Sequence, residues 1–200
     1  MSHFNEQASN WDKEEKIKMM KILASKTIKA LNLTQPLDIM DFGCGTGLFS
    51  LEMSKYIKSL VGIDTSEGML EVFDKKTQGF DNINSLNIDL EKYNIQKKFN
   101  LIISSMAFHH LEDPQYMILK MRDLLSSDGR IAIVDLDKED GSFHPNNVEM
   151  GVKHFGFSKQ EIANWAEKSD MSLDYQIINT IDKNNKNYSQ FLAVFSRGEK

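Results

Sequence analysis

Residues 41–47 read DFGCGTG and close the apolar run PLDIM at 36–40. Three glycines at every second position, Gly43, Gly45 and Gly47, let the backbone turn tightly and approach a ligand, because no Cβ intervenes. The next stretch, LFSLEMSKYI, is predicted to be helical, and the free N–H groups at its start would face the same ligand. A buried strand, a glycine turn and a helix in succession open an α/β domain. The spacing departs from G-x-G-x-x-G, since Leu48 stands where that pattern needs its last glycine. Asp41 also precedes the turn, where a dinucleotide fingerprint carries an apolar residue.

Upstream of this turn, Ile17, Met20, Ala24, Ile28 and Leu31 keep helical spacing. Downstream, LVGID is a second short buried strand, and SEGMLEVFDKK resumes helical spacing through Met69, Val72 and Phe73. NINSLNIDL and FNLIISS read as the third and fourth strands. Asp113-Pro114 has the form of an N-cap followed by a first-turn proline, which makes QYMILKMRDLL a helix. The turn SSDG then leads into a fifth strand, RIAIVDLD. Ser158 and Glu161 form a capping box ahead of the apolar face Ile162, Trp165 and Ala166. Two last strands, SLDYQIINT and YSQFLAVFS, are joined by the polar turn DKNNKN.

Strands alternating with helices predict a parallel sheet with helices on both faces. Ligands of such sheets bind beyond the carboxyl ends of the strands, near the point where strand order reverses. Asp64 ends the second strand, 17 residues after Gly47, and a carboxylate there accepts hydrogen bonds from ribose hydroxyls. Asp89 ends the third strand, placed to accept from an exocyclic amine, and Met69 offers an apolar face to a purine.

The formal net charge is −5, with lysines interspersed among acids, which argues against nucleic acid as a partner and for a small molecule. No apolar run is long enough for a membrane span, and MSHFNEQASNWDKEEK lacks the apolar core of a secretion signal. A single cysteine, Cys44, excludes an internal disulfide framework and fits a reducing cytoplasm.

On DFGCGTG, GID and NIDL the chain resembles the class I S-adenosylmethionine-dependent methyltransferases, and within them the small UbiE-like group acting on small molecules. The opening NEQASNWD is similar to the A-x-x-W-D start of that group. The resemblance implies a Rossmann-like doubly wound sheet of seven strands, ordered 3-2-1-4-5-7-6 with the last strand antiparallel. It implies one methyltransferase domain over 1–200, with an N-terminal helical segment or lid at 1–35 and a catalytic core at 36–200. It assigns Asp41 and the three glycines to the methionine portion of S-adenosyl-L-methionine, Asp64 to its ribose, and Asp89 with Leu90 to its adenine. Cys44, Thr65, Met69, Ser105 and Met106, in or beside the same strand ends, complete the expected cofactor contacts.

Four of the five histidines fall in two loops on that edge: His109 and His110 after the fourth strand, His144 and His154 after the fifth. His3 lies in the N-terminal segment. Three readings of these imidazoles stand open. They are polar turn residues; or one is a base that takes a proton from the methyl acceptor; or His109 or His110 joins Asp113, His144 and His154 around a metal. Trp11 and Phe4 are either packing anchors or part of a lid over the acceptor. The expected enzyme is a monomer or homodimer methylating a small molecule. Two rivals remain, a nicotinamide-dependent oxidoreductase and a non-catalytic cofactor-binding module.

Overall fold

The computed structural model describes residues 3–183 and 185–197. The predicted turn DKNNKN contains Asn184, which lies outside the described residues, as do the extreme ends of the expected 1–35 and 36–200 segments. Seven strands form one sheet in the order β3-β2-β1-β4-β5-β7-β6. They are β1 (Leu37–Phe42), β2 (Ile57–Asp64), β3 (Ile83–Asn87), β4 (Phe99–Ser105), β5 (Leu125–Leu136), β6 (Met171–Lys183) and β7 (Lys186–Arg197). β3, β2, β1, β4 and β5 pair in parallel, while β7 runs antiparallel to both β5 and β6. The order reverses between β1 and β4, so the crevice for a ligand opens at their carboxyl ends.

Alternation along the strands explains why the sheet is covered on both faces. Ile39, Leu101, Ile103, Ala132 and Val134 point to one side, where α2 (Glu14–Leu31) and α3 (Glu67–Thr77) pack. Met40, Ile102, Ile131 and Ile133 point to the other, beneath α4 (Pro114–Asp123) and α5 (Lys159–Lys168). Each fully buried Phe or Ile on these faces contributes roughly 1.5–3 kcal/mol. The starts of α4 and α5 are capped as their sequences require. Asp113 accepts from Tyr116 N at 3.0 Å with Pro114 in the first turn, and Ser158 forms a reciprocal capping box with Glu161.

Two elements depart from expectation. The segment after the glycine turn is a 3₁₀ run, Ser50–Tyr56, rather than an α-helix. β2 starts at Ile57, which pairs with Leu37, so few residues remain to connect the turn to the strand. A 3₁₀ path advances about 2.0 Å per residue against about 1.5 Å for an α-helix and so covers the distance. SSDG does not precede β5 but bulges within it: Leu125 pairs with Phe99 and pairing resumes at Arg130 with Leu101. A Cβ at Gly129 would meet the Phe99 carbonyl at 2.9 Å. No helix of the described residues is long and apolar enough to cross a membrane.

Candidate active site

At the carboxyl end of β1 the chain turns back so that Gly43 N and Cys44 N donate to Ile63 O of β2, at 2.8 and 3.0 Å. Gly43, Gly45 and Gly47 all have positive φ, at 67°, 52° and 82°. Gly43 has a second constraint, since a Cβ there would lie 2.5 Å from Ala107 Cβ. At Gly47 the same addition would meet the Phe73 ring at 2.8 Å. The turn is therefore open on its ligand side and closed against side chains behind it.

Two carboxylates stand against this turn. Asp64 Oδ2 accepts from Gly45 N and Oδ1 from Ser66 N, both at 2.8 Å, so it ties the turn to the start of α3. Burial raises its pKa against the pull of these backbone N–H groups. Asp41 is fully buried, and its Oδ2 has no hydrogen-bond partner. Burial pushes its carboxyl up to about 7; the Ser50 hydroxyl nearby offsets part of that without a well-aligned bond, and the charge of Asp64 adds to it. Asp89 sits at the mouth, where the Lys92 ammonium 2.7 Å away holds it below its usual range despite partial burial.

The N-terminal segment folds over the turn. In α1 (His3–Gln7), Asn5 Oδ1 accepts from Ser66 Oγ at 2.6 Å and Gly68 N at 3.1 Å. Asp12 accepts from Thr46 Oγ1 and pairs with Lys76, each at 2.5 Å, while Lys76 also donates to Thr46 O. Phe4 and Trp11 meet edge to face at 5.6 Å and both line a cavity of about 400 Å³ beneath them.

The far end of this cavity is made of imidazoles. His109 is 1% exposed, and its Nδ1 lies 2.7 Å from Oδ1 of the fully buried Asp135 at the end of β5. Its backbone is held as firmly: His109 N donates to Asp135 Oδ2 at 3.3 Å, and His109 O accepts from Lys153 N and His154 N. Burial alone would raise the Asp135 pKa, but the adjoining imidazole and the Leu136 N–H leave it lowered, so the carboxylate is charged. Such a partner makes Nδ1 the donor and leaves the Nε2 lone pair free, and Nε2 is buried with no partner. The rings of His110 and His144 lie 4.1 and 4.9 Å from that of His109. Burial, with the neighbouring imidazole of His109 acting in the same direction, depresses both to about 4.

The cavity wall includes Asp41, Gly43, Cys44 and Gly45 from the turn, Asp64, Thr65 and Met69 beyond β2, and Asp89 with Leu90 beyond β3. Ser105, Met106, His109, His110 and His144 also line it. Gly47 stands behind the wall, against Phe73. Met106 holds the left-handed region at φ 56°, a strain of about 1–3 kcal/mol for a methionine, where β4 ends. His154 is placed elsewhere: its Nε2 lies 3.0 Å from Leu111 O and its ring is 5.2 Å from Phe157. Among the described residues no three of His, Cys, Asp and Glu are grouped to hold a metal. Sequence reasoning missed Asp135, Lys16 and Lys183, all in or beside the cavity. An acid ending an otherwise apolar strand, IAIVDL, was the signal for the first.

Residues 39–129 match the family described as a methyltransferase domain. The chain is 32% identical over 158 residues to an uncharacterized methyltransferase of Schizosaccharomyces pombe, covering 68% of this chain and 54% of that protein. It is 33% identical over 146 residues to the ubiquinone biosynthesis O-methyltransferase of Pelagibacter ubique, covering 69% and 56%. The N-methyltransferase NodS of Bradyrhizobium japonicum, solved with S-adenosyl-L-homocysteine, superposes with a TM-score of 0.70 at 15% identity, covering 94% of this chain and 90% of that one. The chain spans about half the length of the curated relatives it matches.

Proposed function

Because the chain belongs to the class I S-adenosylmethionine-dependent methyltransferases, we propose that it transfers a methyl group to a small-molecule acceptor with His109 as general base. The observation that carries this is one cavity with three unmatched buried groups, Asp41 Oδ2 on its turn side and His109 Nε2 and His144 Nε2 among the imidazoles, of which only His109 has a carboxylate on its other ring nitrogen.

The residues at the turn fit the cofactor. An unpartnered buried carboxyl suits an ammonium, the turn tolerates no Cβ at Gly43, and strand-end acids stand in order along the same edge. Asp41 and the glycine turn would hold the amino-acid portion, Asp64 the ribose, and Asp89 with Leu90 and Met69 the adenine. When bound, the cofactor supplies an electrophilic methyl group on a sulfonium. The chain's own task is then to align two partners and exclude water, an effect worth roughly 7–11 kcal/mol when geometry is near attack. Trp11 and Phe4 cover the turn side, and the 138–157 loop, whose ends are joined by Phe157 N donating to Leu136 O at 2.9 Å, covers the imidazoles.

Asp135 fixes the His109 tautomer, so that Nε2 accepts the proton leaving the acceptor's nucleophilic atom and Asp135 stabilises the imidazolium formed. An oxygen acceptor benefits most, and relatives whose names specify O-methylation agree with that choice. The buried free thiol of Cys44 suits a reducing, cytoplasmic setting. The nicotinamide reading has no support among the relatives. The non-catalytic reading is separated by experiment: incubation with methyl-labelled S-adenosylmethionine and a metabolite extract should yield labelled product, and His109→Ala should slow its formation by about a hundredfold or more while S-adenosylhomocysteine still binds. Calorimetry showing no heat with S-adenosylhomocysteine would remove the whole proposal.

A further inference from the structure

Two lysines line the cavity, Lys16 from α2 and Lys183 from the end of β6. Lys16 Nζ stands 3.0 Å from the centroid of the Trp11 ring. Lys183 Nζ donates to Phe143 O at 2.6 Å and lies 4.6 Å over the Phe143 ring. The two ammoniums are near enough to repel each other, and Lys183 acts on His144 in the same sense. Neither has a carboxylate within 4.0 Å among the described residues, because Asp12 is already engaged by Lys76 and Thr46. Two half-buried cations lining one aromatic-walled cavity, neither of them in an ion pair among the described residues, describe a receptor for an anion.

Resting on the methyltransferase reading, we propose that the acceptor is an organic anion whose carboxylate is held between Lys16 and Lys183 while its apolar body lies among Phe4, Trp11 and Phe143. The electrostatics agree. Burial, helped by Lys13 and Lys183 and opposed by Asp12, lowers Lys16 to about 8, the state of a cation awaiting a partner. A carboxylate could also come from the cofactor's own amino-acid end. The acceptor is favoured because Lys183 is anchored on Phe143, next to His144 and away from the glycine turn.

The test uses protein saturated with S-adenosylhomocysteine and two matched probe pairs, 4-hydroxybenzoate with 4-hydroxybenzamide and hexanoate with hexanamide, followed by calorimetry. At least one acid should bind about tenfold tighter than its amide, the scale of one charge-assisted hydrogen bond. Lys183→Arg should keep that preference, and the double variant Lys16→Met/Lys183→Met should erase it while S-adenosylhomocysteine affinity holds within about threefold. Equal binding of acid and amide, no binding by any probe, or a preference that survives the double variant overturns the proposal. So does a double variant that loses S-adenosylhomocysteine affinity but keeps the acid preference, since the lysines would then serve the cofactor. Failure of S-adenosylhomocysteine to bind the unaltered protein is a different result and refutes the donor reading instead.

Discussion

At one side the cavity wall is built on main chain; at the other it is built of side chains. The turn side is glycine backbone at positive φ with Asp41 and Asp64 behind it, all carried by the ends of adjacent strands. The opposite side gathers His109, Asp135, His144 and Lys183 from four separate segments. The first is built for recognition of one fixed shape, because moving any part moves the sheet. On the reading proposed above the second carries chemistry and choice, through side chains of which two, His109 and His144, stand on segments outside the strands. Even their acid–base behaviour is opposed: a carboxyl driven up on one side, imidazoles driven down on the other.

The largest expected effect breaks the second side alone. His109→Ala or Asp135→Asn should lower turnover by roughly 10²- to 10⁴-fold, the range of a lost general base, with S-adenosylhomocysteine affinity nearly unchanged in calorimetry. Asp135→Ala should additionally cost about 1–3 kcal/mol in chemical denaturation, since it leaves a buried imidazole N–H without its acceptor.

Gly43→Val should do the reverse. It puts a side chain where Ala107 Cβ would be 2.5 Å away, at a φ of 67°, so affinity for S-adenosylhomocysteine should collapse and stability fall by about 1–3 kcal/mol. A variant that lost turnover but kept donor affinity would show that the two sides are not divided as described.

Next in size is pH. Asp41, raised from 3.8 to about 7, binds its proton more tightly when folded. The stability it gives is complete below about pH 4 and lost as pH rises through 7. His110 and His144, lowered from 6.5 to about 4, favour the folded state above pH 6.5 and lose that contribution as pH falls through 4. Asp41→Asn should therefore flatten the loss of melting temperature on the way up to pH 7, and His144→Gln the loss on the way down to pH 4. The steepest change is roughly 1.4 kcal/mol per pH unit for the fully buried Asp41 and less for the partly exposed imidazoles, which solvent screens. A pH profile identical to the parent's in both variants would contradict the opposed assignment.

The smallest effect concerns the cover. Asn5→Ala removes one acceptor for two α3 donors and Asp12→Asn loosens Thr46 and Lys76. Each should cost the covered state about 0.5–1.5 kcal/mol, read as a few-fold faster release of S-adenosylhomocysteine in stopped flow.

The division also explains what could be read from sequence. Asp41, Gly43, Asp64 and Asp89 stand at strand ends, and the strand order that the family resemblance implies sets those ends side by side, so their meeting is dictated by topology. Asp135 meets His109 across 26 residues through the side-by-side pairing of β4 and β5, a contact that no local pattern announces. Lys16 looks like one more solvated helix lysine and Lys183 like a hairpin-turn residue; only packing turns them inward. His154 shares its loop with His144 but is drawn to the Leu111 carbonyl instead, because backbone bonds from Lys153 and His154 to His109 fix the loop at that point.

β7 is the strand that slips between β5 and β6, and its insertion has a consequence for how the molecule comes into being. Asp137 N, just past the Asp135 that steadies His109, donates to Ser189 O, and Leu136 pairs with Gln190. Every position assigned to the methyl donor lies between 41 and 106, so a ribosome has released all of them long before residue 189 emerges. The glycine-turn side is thus synthesised before the imidazole side, where the end of β5 beside His109 stays unbraced until the final strand is threaded into place.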